Sequence, residues 1–272
     1  MTWKSESIQR YRDQAVVWRV CHPEWWPLLL AAVAWGWLLG NADLQRMVWL
    51  SDVAIASWQR FLLESVFAPL CSAVNNPGNS FALRWLGWEL MVVAMMFPGL
   101  TNSVRLTAFA SFAQRRQVAV LEFLVGYLGV WAMAGAVGLA LSTRFAQVNI
   151  PWAALVLLFC GWELTQTKRR AWMQCHRAPI LLPTGHAADL SCLRWGVVQG
   201  AGCVGSCWAF MLPMVLPNHP PLMMWLAFAL VLLQRLLIDP AGRRYRFFII
   251  GVAALAAIQL TASLTTRSPT VI

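Results

Sequence analysis

Charge is what this chain lacks most. Charged residues fill 12% of its 272 positions, against roughly 25% in an ordinary soluble domain, and that scarcity excludes a soluble globule. Internal repeats, low-complexity tracts and a separate polar domain are missing too, which excludes disorder, fibrous assemblies and an appended soluble module. No HExxH, CxxC pair, glycine-rich phosphate loop or GxSxG elbow occurs, so none of the spacings that hold a zinc hydrolase, a redox dithiol, a nucleotide or a serine nucleophile is available. The expectation is a protein without catalytic turnover. The opening MTWKSESIQRYRDQAVVWRV is mixed polar and basic, with no small-residue cleavage site after the first apolar run. That is not a secretory signal, and the chain is expected to remain as synthesised. Seven cysteines, an odd number, are scattered without the dense spacing of a disulfide scaffold, which points to reduced thiols.

What is present is apolar length. Hydrophobic residues make up 59% and the mean hydropathy is +0.58. Runs of about 20 apolar residues are what a helix needs to cross hydrocarbon, with every backbone polar group satisfied inside it. Such runs fall at 25–40, 81–100, 118–141, 150–164, 195–216, 222–238 and 247–264. The fold class read from them is all-α, a polytopic transmembrane bundle of about seven spans. Residues 44–70 differ, because Arg46, Asp52, Arg60 and Glu64 interrupt the apolar pattern; an interfacial amphipathic segment fits them better. The tract NNPGNS at 75–80 is a loop signal, and the proline-rich PNHPP at 217–221 reads as a tight reversal. The organisation expected is an N-terminal arm, first span and interfacial segment over 1–80, followed by a membrane bundle over 81–272.

The basic residues give the orientation. Lys and Arg number 21 against 11 Asp and Glu, an excess that in a soluble chain would signal nucleic acid. Here sixteen of the 21 fall before span one, in the connections between spans two and three, four and five, and six and seven, or, for Arg235, in the last turn of span six. Such alternation is the positive-inside pattern, with anionic lipid headgroups as the partner and no nucleic acid. It places the N-terminus in the cytoplasm and the C-terminus outside. Many of the 17 tryptophans stand near span ends, where the amphipathic indole anchors at headgroup level.

Sulfur supplies the chemistry. In the fifth span Gln199, Cys203, Cys207 and Met211 follow one another at spacings of four and share one helix face. Two thiols and a thioether on that face form a soft donor set suited to Cu(I) or, through thiolates alone, Zn(II). The same Gly, Ser and Cys run also suits plain close packing of helices. Span two carries Met91 and Met95 one turn apart, with Met96 beside them before Pro98. Thioethers stay neutral and need no deprotonation to bind metal, though methionine is also an ordinary packing residue. Glu89, a carboxyl inside the same span, calls for a partner, a cavity or an ion path, and Arg84 is the nearest cation in sequence. The connection from 165 to 194 holds Cys175 and His176, able to share one ion at a helix end, with His186 and Cys192 nearby.

Three blocks resemble the bacterial integral membrane proteins described as predicted metal-binding, a family with a domain of unknown function. They are ELMVVAMMFPG from Glu89 to Gly99, the basic cysteine-containing run from Trp162 to Pro179, and GCVGSCWAFM from Gly202 to Met211. The resemblance covers most of 81–240 and implies metal binding, with Cys175, Cys203 and Cys207 as the ligands carried over; Met91, Met95 and His176 are added from the residues themselves. This chain departs from the family pattern at Ala171, where another cysteine often stands, at Ser206, where adjacent cysteines occur, and at Glu163, where an amide is usual. The function expected is Cu(I) binding, delivery or metalloenzyme assembly, with zinc the lesser alternative. A structural accessory subunit of a larger membrane complex is the competing reading, and a channel or transporter using Glu89 a third.

Overall fold

In the computed structural model the described residues are 21–41, 80–145, 152–177, 181–182, 184–215, 221–236, 242, 245–254 and 257, and regular structure among them is helical throughout. The expected interfacial segment 44–70, Cys71, and most of the loop signals at 75–80 and 217–221 lie outside them. The helices are α1 Trp25–Asn41, α2 Phe81–Met96, α3 Thr101–Phe109, α4 Arg116–Phe145, α5 Trp152–Glu163, α6 Gln166–Cys175, α7 Gly185–Val215 and α8 Pro221–Leu236, with a shorter apolar helix α9, Tyr245–Ala254.

Between α2 and α3 the chain tightens into a 3-10 turn, Phe97–Leu100, at Pro98. Proline has no N–H to give the α-helical ladder, and the tighter turn absorbs the gap without ending the rod. Phe81–Phe109 therefore runs on as one apolar helical stretch of 29 residues, beyond the expected end near residue 100. Among the described residues this stretch and Arg116–Ser142 are the two helices long and apolar enough to cross a membrane.

The axis of the fold is the packing of α4 on α7. A Cβ placed on Gly196 would lie 2.0 Å from the Phe123 carbonyl oxygen, and one on Gly126 would lie 2.3 Å from that of Leu193. Only hydrogen fits at these two crossings, so the glycines let the backbones meet. Trp88 packs from α2 onto α4 at Gly135 and donates from Nε1 to the Trp131 carbonyl at 3.2 Å, while Trp85 does the same to Ala132 at 2.9 Å. These two indoles are inter-helix fasteners, a role different from the interfacial anchoring expected of tryptophan. Their N–H groups find main-chain acceptors in the interior, as buried indoles generally must.

The connection 165–194 is more structured than its polarity implies. Thr165 caps α6, its Oγ1 accepting from the Lys168 amide at 3.1 Å, and α7 starts at Gly185, ten residues ahead of the expected span. Gly185 has a φ of 75°, which favours a residue without a Cβ. Hydropathy marks only the apolar part of a helix. Here Asp189 is paired with Arg115, so the charge sits comfortably on the helix and does not end it.

Candidate metal centre

The four residues spaced along α7 face inward together. Gln199, Cys203, Cys207 and Met211 are all buried. The Cys203 Sγ accepts from the Tyr127 hydroxyl at 3.0 Å and lies 3.8 Å from the Met96 Sδ. Cys207, one turn on, is within hydrogen-bond reach of Cys203 and 3.4 Å from the Ser206 hydroxyl. Gln199 donates to the Cys175 carbonyl at 2.8 Å and to Ser103 Oγ at 3.1 Å, so it caps the end of α6 and pins that helix to α7.

Cys175 arrives from this docked helix. It is buried against Gly202, where a Cβ would lie 2.9 Å from its Sγ, and it is within hydrogen-bond reach of Ser206 and Arg235. Burial pushes its thiol above the ordinary range, while the Arg235 guanidinium opposes that shift. Arg235 comes from α8 and threads past Gly99, where a Cβ would be 3.2 Å from its Cγ. It lies within electrostatic reach of Cys175, Cys203, Cys207 and Tyr127 together.

The expected residues separate into those that converge and those that do not. Cys175, Cys203 and Cys207 all lie within electrostatic reach of one guanidinium. Met91 and Met95 are buried in the same core, but the thioether in contact with Cys203 belongs to Met96. His176 turns away: it is exposed, its Nδ1 3.0 Å from the Trp172 carbonyl and its ring 4.1 Å from the Trp172 indole. The alternation inherent in adjacent residues at a helix end accounts for this divergence. Nor do His186 and Cys192 form a shallow site, since His186 is exposed beside Asp189 and Cys192 is buried toward Arg115 and Ser191. Arg84 donates to Ser142 at 3.2 Å, away from Glu89, whose Oε1 is buried with no hydrogen-bond partner among the described residues.

A second polar group beside the sulfur cluster was not legible as a unit from the sequence. Glu163 and Lys168 are buried, with Lys168 Nζ donating to Glu163 Oε1 at 2.5 Å and to Gln234 Oε1 at 3.0 Å. The Tyr245 hydroxyl donates to Glu163 Oε2 at 2.9 Å, and Gln234 Nε2 donates to the same oxygen at 3.2 Å. Four helices, α5, α6, α8 and α9, are tied by these contacts. The available signal was an amide inside the apolar run of α8 and a capping Thr165 that aims Lys168 inward.

A metal–sulfur bond of about 2.3 Å at a tetrahedral angle sets two sulfur ligands about 3.8 Å apart. The Cys203 and Met96 sulfurs stand at that spacing, 3.8 Å. Among the described residues no group of three or more His, Cys, Asp or Glu could hold a metal ion together; the two sulfurs in contact are one thiol and one thioether. A family model described as PpoB2, copper chaperone, matches residues 85–260. This chain belongs to that family. The PpoB2 match runs from the second turn of α2 past the end of α9, taking in Cys175, Cys203, Cys207, Met96, Arg235 and the Glu163–Lys168 group, and leaving α1 outside. Neither a curated protein nor a solved structure matches the chain.

Proposed function

We propose that the protein is a multi-pass membrane protein that binds Cu(I) on Cys203, Cys207 and Met96 and hands it to a metalloenzyme, with Cys175 as the exchange position. The ion is cargo, and the chain carries out binding and transfer without turnover. Membership of a copper-chaperone family supports this reading. The single observation that carries it is the contact between the Cys203 and Met96 sulfurs at 3.8 Å, buried, with Cys207 and Cys175 alongside. Soft thiol and thioether donors favour Cu(I), whereas a structural zinc site asks for four nitrogen or sulfur ligands.

The outer surface supports a bilayer setting. On α4, Val118, Leu121, Val125, Met133, Val137 and Leu141 are all exposed, Met133 by 73%, and together they make a long apolar face suited to lipid. With the alternation of basic loops, this supports seven spans in a bacterial inner membrane with the N-terminus cytoplasmic and the C-terminus periplasmic. Elemental analysis of detergent-purified protein tests the function. The expected result is about one copper per chain, lost in Cys203→Ala and in Cys207→Ser; absence of copper from the unchanged protein after Cu(I) loading would contradict it.

A further inference from the structure

Arg235 is placed unlike the other basic residues near the ends of these helices. Its Nη2 is sealed from solvent and has no hydrogen-bond acceptor among the described residues, and none of the ion pairs found among them includes it. The neighbouring Lys168 is already matched by Glu163, and Arg115 by Glu122 and Asp189. Arg235 instead has three cysteines and a phenol within electrostatic reach. With its Nη2 sealed and without an acceptor, the guanidinium end calls for a negative charge nearby, because an unpaired charge in a low-dielectric interior is costly.

Metal binding changes that balance, because each ligating thiol gives up its proton. One Cu(I) on the two thiolates of Cys203 and Cys207, with the neutral thioether of Met96, makes a centre of charge −1. The guanidinium brings the local total to zero. A divalent ion on the same donors makes a neutral centre and leaves the guanidinium's +1 uncompensated. Resting on the copper reading above, we infer that Arg235 is a specificity-determining residue, whose fixed charge makes this sulfur site select monovalent Cu(I) over divalent Zn(II).

The test compares Cu(I) and Zn(II) affinities of the full chain in detergent, each by competition with a chromophoric chelator, for the unchanged protein and for Arg235→Met, Arg235→Gln and Arg235→Lys. Removal of this unit charge from beside the site is expected to weaken Cu(I) binding roughly tenfold to a hundredfold. Ag(I) should fall in parallel, Zn(II) should hold or tighten, and the Lys variant should retain the Cu(I) preference. Gln, polar and neutral, gives the same readout as Met if the apolar side chain does not fold. An unchanged Cu(I)-to-Zn(II) ratio in a neutral variant would overturn the inference, as would a Lys variant as impaired as Met, because shape and not charge would then be responsible. Loss of selectivity with Cu(I) still bound separates this claim from its parent. Failure of the unchanged chain to bind Cu(I) would overturn the copper reading and this inference with it.

Discussion

Tyr127 and His176 show how one interatomic contact divides residues of similar chemical promise. The Tyr127 hydroxyl donates to Cys203 Sγ from the neighbouring helix at 3.0 Å, which fixes the direction of the sulfur lone pairs. Groups that orient a ligand in this way are typically worth about 10–100-fold in metal affinity. Tyr127→Phe, which removes only the hydroxyl, is therefore expected to weaken Cu(I) binding by about tenfold in a chelator competition. His176→Ala should leave the affinity within about twofold under the same assay, because the imidazole is engaged with Trp172 on the exposed side of α6 and surface changes of that kind have small effects. Much of this site was readable from spacing alone: Cys203, Cys207 and Met211 at intervals of four do share a buried face. Which methionine approaches them was not, because Met91, Met95 and Met96 all lie on the inner part of α2 and only the rotation of that helix against α7 decides. Arg235 was unreadable for a related reason. Counted with the loop cations, it turns inward because Gly99 leaves room for its side chain.

At the scale of elements, α6 is what assembles the site. It brings Cys175 to α7 at its C-terminus and Lys168 to Glu163 in its first turn, so the same short helix belongs to both buried polar groups. Gly202 and Gly205 open the face of α7 on which it lies, Ala171 and Cys175 filling the space that side chains there would occupy. Breaking a buried ion pair from one side leaves an uncompensated charge and costs about 3–5 kcal/mol. Glu163→Gln is expected to lower stability by that order, read as a fall in the thermal unfolding midpoint in detergent. A paired replacement, Glu163→Leu with Lys168→Met, should recover most of the loss. Sequence polarity assigned this region to a loop, since the run QTKRRAWMQC holds few apolar residues. Its helical state depends on the Thr165 cap and on contacts with α7 that come from distant parts of the chain.

For the whole molecule, the apolar runs located most of the described helices to within a few residues at one end or both, and they missed where the helices continue into polar sequence. Apolar length is a local property, whereas α7 reaches back to Gly185 because a tertiary pair holds Asp189. The topology has its own check. Reporter fusions active only outside the cytoplasm are expected to be silent when joined in the region of Arg169 and Arg170 and active when joined after Ile272; the opposite pattern would reverse the orientation argued from the basic residues.

The central claim is that a monovalent copper ion sits among sulfurs inside the helical bundle. X-ray absorption at the copper edge of the Cu(I)-loaded protein addresses it directly. The account predicts a monovalent copper edge with two or three sulfur scatterers in the first shell, one of them lost in Met96→Leu. A first shell of nitrogen and oxygen alone would contradict it.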